Sequence, residues 1–370
     1  MSTLFKPYDL AGTALTNRVV MAPMTRARAL DDIPDEHTVL YYAQRASAGL
    51  IISEGAPISR EGCGYLFNPG LYNDAQTQGW RRVTDAVHAK GGKIFAQLWH
   101  VGRMSHVSIQ PEGGAPVSSV AVTAAQSNAY AWVADGQPGP VQASTPRALD
   151  ADEVRRVTAD FVSAARRAMD AGFDGVELHG ANGYLFEQFL NGALNTRTDE
   201  YGGSIANRQR FLLETLDALA AEIGSARVGV RLSPFGRLFD MHPYVEEAQT
   251  WLSLAAALNT RNLAYVHLSD QLTLGAEAIP AGFATAFRQA YQGTLIAAGG
   301  FNRARAEAVL TQGDLDLVAF GRPFIANPDL VERMRHDWPL AEGDRTTFYG
   351  IDGSPALGYT DYPTAPANRA

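Results

Sequence analysis

Short apolar runs recur along the chain and alternate with segments whose apolar residues repeat at helical spacing. The predicted strands are residues 18–23 (RVVMAP), 50–55 (LIISEG), 93–100 (KIFAQLWH) and 175–180 (GVELHG), then 228–233 (VGVRLS), 264–270 (AYVHLSD), 294–300 (TLIAAGG) and 315–321 (LDLVAFG). Each is short and rich in Val, Ile or Leu, the pattern of parallel strands covered on both faces. Between them the 3.6-residue period predicts helices over 37–47, 74–89, 151–171, 206–223, 245–258, 283–291 and 303–311. Asp150 precedes the third of these and Gly172 follows it, and Asp150 with Glu153 has capping-box spacing. Strand–helix units in strict alternation, with no second composition regime, predict an α/β fold: one (β/α)8 TIM barrel spanning residues 1–370. The competitor is an open doubly wound sheet, which normally carries a glycine-rich loop after its first strand; residues 24–30 (MTRARAL) carry none.

Two segments exceed the minimal barrel. Residues 4–17 read as an N-terminal hairpin around Ala11-Gly12, suited to plugging the barrel's N-terminal end. Residues 101–149, rich in Gly, Pro, Ser and Ala, form an insertion after the third strand. Insertions there lie over the active face of such barrels, so a capping role is expected, with a passive surface excursion as the alternative.

The chain has 370 residues, enough for a large core without covalent staples, and its formal net charge of −8 gives no basic nucleic-acid surface. No apolar run reaches membrane-spanning length and the start, MSTLFK, has no apolar leader, so a cytoplasmic protein without membrane contact is expected. Cys63 is the sole cysteine, which excludes an intramolecular disulfide and a four-cysteine cluster. His100, His106, His179 and His267 lack metal-ligand spacing, so no metal site is expected.

In a barrel the C-terminal ends of the strands build the site. The fourth strand runs into HGANGY, where one turn brings His179 and Asn182 to the same side as a pair of donors for an oxygen acquiring charge. Tyr184 then offers a phenol as proton donor. The same residues also permit a blander reading, a buried histidine satisfied by backbone and a core tyrosine. The last two strands end in Gly299-Gly300 and Gly321-Arg322. Loops at those places form the usual phosphate site of such barrels, with glycine allowing close backbone approach and arginine supplying a bidentate cation. Tight turns alone would be the alternative use of these glycines. There is no HExxH, no GxSxG and no P-loop pattern.

These motifs resemble those of the old yellow enzymes, a family of FMN-containing ene-reductases. The most specific piece is HGANGYLFEQFLNGALNTRTDEYGGSIANRQR, residues 179–210, supported by MAPMTRAR, FAQLWHVGR, AFGRPFIANPDL and FYG at 348–350. The resemblance runs from LFKP at 4–7 to GYTDYP at 358–363. It implies an NAD(P)H-dependent oxidoreductase with tightly bound, non-covalent FMN, reducing activated C=C bonds by ping-pong hydride transfer. It further implies Pro23, Met24 and Thr25 along the flavin, Ala56 beside it, and Gln97 and Arg231 on its pyrimidine edge. Gly299, Gly300, Gly321 and Arg322 match the phosphate positions. His179 and Asn182 match the pair that grips the substrate oxygen, Tyr184 the proton donor, and Tyr65, Trp99 and Tyr349 the substrate surroundings. Thr25 marks the branch with threonine rather than cysteine there. Small unsaturated substrates, either nicotinamide as reductant, and a monomer or homodimer complete the expectation.

Three other readings fit less well. Flavoenzymes of this type with an added iron–sulfur cluster need cysteines the chain lacks. A Schiff-base aldolase barrel has only Lys6, Lys90 and Lys93 to draw on, and Lys93 opens a strand at the wrong end. A non-catalytic flavin binder has no use for a proton donor at Tyr184.

Overall fold

The computed structural model describes residues 2–271, 279–350 and 354–365. The chain opens with an antiparallel hairpin, β1 (Tyr8–Leu10) and β2 (Thr13–Leu15), turned through Ala11 and Gly12 at positive φ. Strands β3 (Val19–Met21), β4 (Leu50–Pro57) and β5 (Ile94–Trp99) follow, separated by helices α1 (Glu36–Gln44) and α2 (Asp74–His88). After β5 comes the insertion, which carries β6 (Val117–Ser118), β7 (Asn128–Trp132), β8 (Pro138–Gln142) and β9 (Arg147–Ala148). The regular alternation resumes with α3 (Ala151–Asp170), β10 (Gly175–Gly180), α4 (Leu185–Leu190), α5 (Ile205–Ile223), β11 (Val228–Leu232), α6 (Glu247–Asn259) and β12 (Tyr265–Ser269). Helix α7 (Phe283–Ala290), β13 (Leu295–Ala298), α8 (Arg303–Gln312), β14 (Leu317–Phe320), α9 (Arg322–Ala326) and α10 (Leu330–Arg335) complete the order.

Eight strands close into a barrel in the order β10-β11-β12-β13-β14-β3-β4-β5, every pair parallel. All eight apolar runs of the sequence are these strands. Most are buried along their whole length, because the interior fills one face and the helix layer covers the other. Helix α3 shows the packing logic: Val154, Val157, Phe161, Ala164, Ala165 and Ala168 form its buried stripe. Full burial of each large apolar side chain contributes roughly 1.5–3 kcal/mol. The Asp150–Glu153 capping box is formed, and Gly172 at φ +85° lets the chain leave the helix.

Leu10 and Leu15 of the hairpin pack with Val20, Leu50, Phe95, Tyr265, Ile296 and Leu317 of the barrel interior, so the hairpin closes the N-terminal end. The insertion folds into an antiparallel pair, β7 with β8, and a short parallel pair, β6 with β9. The Leu66 N–H donates to the Tyr130 carbonyl and the Tyr130 N–H to the Gly64 carbonyl, which fixes Tyr65 beside β7. Buried Arg103 ties the insertion's start to the chain beyond β11 by donating to the Phe239 carbonyl (2.9 Å). Among the described residues no helix is long and apolar enough to cross a membrane.

Candidate active site

A cavity of about 500 Å³ opens at the strand C-termini, and every barrel strand or the loop after it contributes to its wall. That size suits a flat organic cofactor with a small substrate beside it. Pro23, Met24, Thr25, Gln97, Trp99, His179, Asn182, Tyr184, Arg231, Gly299, Gly300, Gly321, Arg322 and Tyr349 all line it.

Two residues expected in the wall lie elsewhere. Ala56 is fully buried among the apolar residues of the core, and its neighbour Gly55 faces the cavity instead. The cause is a β-bulge between Ile52 and Gly55, which resets the alternation of β4. At Gly55 a Cβ would stand 2.5 Å from the Trp99 ring, so the close approach needs glycine. Tyr65 stands behind the wall, stacked on Trp99 with ring centroids 5.6 Å apart and reached by the Tyr184 hydroxyl at 3.3 Å.

His179 sits on β10, its ring within 6.0 Å of Trp99. Its Nδ1 accepts from the Ala181 N–H at 3.3 Å, which leaves the proton on Nε2. Burial, aided by Arg231 and His267, holds its pKa well below the usual value, so the ring is a neutral donor. Asn182 occupies the left-handed region at φ +59°, a conformation asparagine tolerates. Its N–H donates to Ser233 Oγ (2.7 Å) and its Oδ1 accepts from Gln271 Nε2 (3.2 Å), which orients Nδ2 as the remaining donor. Ser233 Oγ and the Gly183 N–H both donate to Glu187 Oε2, each at 2.7 Å. Burial pushes the Glu187 carboxyl up to about 7. Ser233 and Glu187, absent from the sequence expectation, therefore brace the turn that presents Asn182 and Tyr184. The Tyr184 ring meets Trp99 and His179 edge-on at 5.0 and 5.1 Å. Burial raises its pKa well above 10, so it stays a protonated phenol.

The opposite side has the features of an anion cradle. Gly299 lies at φ +154° and Gly300 at +64°, just before α8, whose first turn is capped by Asn302. A Cβ at Gly299 would stand 2.6 Å from Asp270 Cβ, so the backbone approaches closely only as glycine. Arg322 opens α9 at the cavity edge. On the floor, Gln97 Nε2 donates to Glu177 Oε1 (2.7 Å) and Arg231 Nη2 to Ser269 Oγ (3.1 Å). Among the described residues, buried Arg231 Nε has no hydrogen-bond partner, and neither has Trp99 Nε1. A buried guanidinium N–H without a partner is costly, and it fits a floor built to meet a polar ring edge. Ser269 and Asp270 also line the cavity; the signal for them was a polar pair ending the sixth strand.

The MAPMTRAR stretch divides its labour. Met24 and Thr25 line the cavity, while buried Arg26 and Arg28 turn away to hold the C-terminal segment. Arg26 donates to the carbonyls of Phe348 (2.9 Å) and Gly358 (2.7 Å), and Arg28 to that of Thr347 (2.6 Å). This clamp brings Phe348 and Tyr349 to the cavity mouth.

A closed barrel with an anion cradle, a polar floor and a pair of neutral donors on one wall defines a flavin-type oxidoreductase of the TIM-barrel class. The sequence profile of the NADH:flavin oxidoreductase / NADH oxidase family matches residues 3–341. The chain is 44% identical over 364 residues to 12-oxophytodienoate reductase 1 of Oryza sativa subsp. japonica, covering 97% of this chain and 92% of that one. It is 42% identical over 364 residues to 12-oxophytodienoate reductase 2 of Arabidopsis thaliana, covering 98% and 95%. Among solved structures, morphinone reductase superposes with a TM-score of 0.96 at 47% identity, covering 100% of this chain and 98% of that one. Its complex with tetrahydroNAD gives 0.95 at 47% identity, covering 100% and 99%. The chain belongs to the NADH:flavin oxidoreductase / NADH oxidase family, the old yellow enzymes, and is an NAD(P)H-dependent flavin oxidoreductase with FMN as its cofactor.

Proposed function

We propose that this enzyme reduces activated C=C bonds of α,β-unsaturated carbonyls, maleimides and nitroalkenes in a ping-pong cycle driven by NADPH or NADH. FMN, held by Pro23, Met24, Thr25, Gln97 and Arg231 at its ring and by Gly299, Gly300, Gly321 and Arg322 at its phosphate, supplies the hydride acceptor and donor when bound. His179 Nε2 and Asn182 Nδ2 donate to the carbonyl or nitro oxygen of the substrate. Donors fixed before the reaction, aimed where charge develops, are each worth roughly 2–4 kcal/mol in the transition state. Neutrality of His179 suits this role, since the ring polarises the oxygen without giving up its proton. Tyr184 delivers the proton to the α-carbon, on the opposite side of the double bond from the incoming hydride. Trp99 and Tyr349 bound the substrate, with Tyr65 backing Trp99 from behind, and the same space admits the nicotinamide first and the alkene second.

The observation that carries this reading is the convergence of a neutral imidazole, an oriented carboxamide and a high-pKa phenol on one wall of one cavity. Initial rates with NADH and 2-cyclohexenone varied together test it. Parallel double-reciprocal lines are expected for two half-reactions sharing one site; intersecting lines would sink the ping-pong scheme.

A further inference from the structure

The register of the barrel stacks two layers of interior side chains at and below the cavity floor. In the upper layer His179, Arg231 and His267 are neighbours across β10, β11 and β12. In the lower one Gln97 and Glu177 are neighbours across β5 and β10, followed by Gly229 and Tyr265, whose ring takes the space a side chain at Gly229 would occupy. Glu177 is fully buried and does not line the cavity. Its Oε1 accepts from Gln97 Nε2 (2.7 Å) and its Oε2 pairs with His267 Nδ1 (2.9 Å). Burial lowers the His267 pKa, so that ring is neutral, with its proton on Nδ1 toward the carboxylate. His267 Nε2 and Arg231 Nε are both buried without a partner among the described residues. A carboxylate this deep is expensive, and neutral donors alone do not neutralise it. The cation beside it is Arg231, which lines the cavity floor.

We propose that Glu177 is a positioning residue with two tasks: through Gln97 it fixes the amide that meets the cofactor's ring, and its buried charge, set against Arg231, lowers the cofactor's reduction potential. The inference rests on FMN lying over Gln97 and Arg231, as proposed above. With Gln97 Nε2 committed downward by one hydrogen, its Oε1 and second N–H are left for the ring edge. A fixed negative charge one hydrogen bond below the floor opposes the arrival of electrons on that ring. Without it, the Arg231 cation acts on the ring uncompensated and reduction becomes easier. His267 holds the carboxylate in place by donating to its second oxygen.

The test compares Glu177→Gln with the wild-type holoenzyme by two-electron potentiometry against a reference dye and by fluorescence titration of the apoprotein with FMN. The expected result is an equilibrium shifted tenfold or more toward reduced cofactor, about 30 mV upward. An unchanged or lowered potential in a folded, FMN-loaded variant overturns the proposal. Glu177→Asp keeps the charge but withdraws it from Gln97 by one methylene, and serves also if the glutamine protein does not fold. It is expected to bind FMN at least tenfold more weakly while its two-electron equilibrium stays within threefold of wild type. Wild-type FMN affinity in that variant removes the positioning role. A wild-type apoprotein that binds no FMN refutes the cofactor reading instead, so the two failures are distinguishable.

Discussion

Replacing Tyr184 with phenylalanine removes one hydroxyl from the cavity wall and leaves the ring. The ring keeps its edge-on contacts with Trp99, His179 and Phe239 at 5.0, 5.1 and 5.2 Å, so the wall holds its shape. The hydroxyl's recorded hydrogen bond is a long one, 3.3 Å to the Tyr65 hydroxyl. A neutral bond is worth about 0.5–1.5 kcal/mol, and this geometry argues for the low end, so the variant is expected to fold and to bind FMN normally. Chemistry is another matter. A positioned general acid contributes about 10²–10⁴-fold, or roughly 3–5 kcal/mol of barrier. The expected result is a loss of that size in the reaction of the reduced enzyme with 2-cyclohexenone, with reduction by NADH changed less than about twofold, since no proton is donated by Tyr184 in that half. Anaerobic stopped-flow absorbance separates the two halves. Because burial holds the phenol protonated, the wild-type alkene rate is also expected to stay flat as pH rises toward 10. Equal slowing of both half-reactions, or no slowing of the second, refutes the assignment of Tyr184 as proton donor.

Three further predictions follow from other parts of the structure. His179→Ala removes the neutral Nε2 donor, and phenol ligands followed by spectral titration are expected to bind about 10–100-fold more weakly, the worth of one hydrogen bond to a charged oxygen; an unchanged affinity contradicts the donor role. Arg322→Ala is expected to weaken FMN binding by at least about tenfold while riboflavin binding is barely altered, since only FMN carries the phosphate; equal losses for both move the arginine's role away from the phosphate. Glu54, buried on β4 and bonded by the Arg26 N–H at 3.1 Å, has its carboxyl pushed from 4.5 to about 7 by burial. A raised carboxyl stabilises the fold fully below its unfolded value and loses that contribution as pH climbs through the folded one. Glu54→Gln is therefore expected to gain stability relative to wild type between pH 5 and pH 8, on the order of 3 kcal/mol in urea unfolding; parallel pH profiles contradict the shift.

Much of the barrel was legible because each strand is buried on both faces, which writes a continuous apolar run into the sequence and needs no partner to be recognised. The predicted helices were equally plain where, as in α3, cap and stripe agree. Three short helices escaped. Helix α4, six residues and buried all round, has no polar face to set a period, and α9 and α10 are too short to show one. The insertion's β7 and β8 were hidden too, since Pro138, Gly139 and Pro140 are poor strand formers tolerated at an edge. In the cavity, residues at strand ends could be named from position and resemblance. What supports them could not: Ser233 and Glu187 lie 46 residues apart and meet only in the folded chain. Gly55 was displaced from expectation by a bulge, a one-residue irregularity with no signature in LIISEGAP.

The central claim is an FMN enzyme that takes hydride from a nicotinamide and passes it to an electron-poor alkene. An anaerobic absorbance titration of the purified protein tests it most directly, with NADPH or NADH added first and 2-cyclohexenone second. The expected result is a yellow flavin band that bleaches with nicotinamide and returns with the enone. A protein that is colourless and cannot be loaded with FMN, or one that bleaches and stays bleached with enone, maleimide and nitroalkene alike, contradicts it.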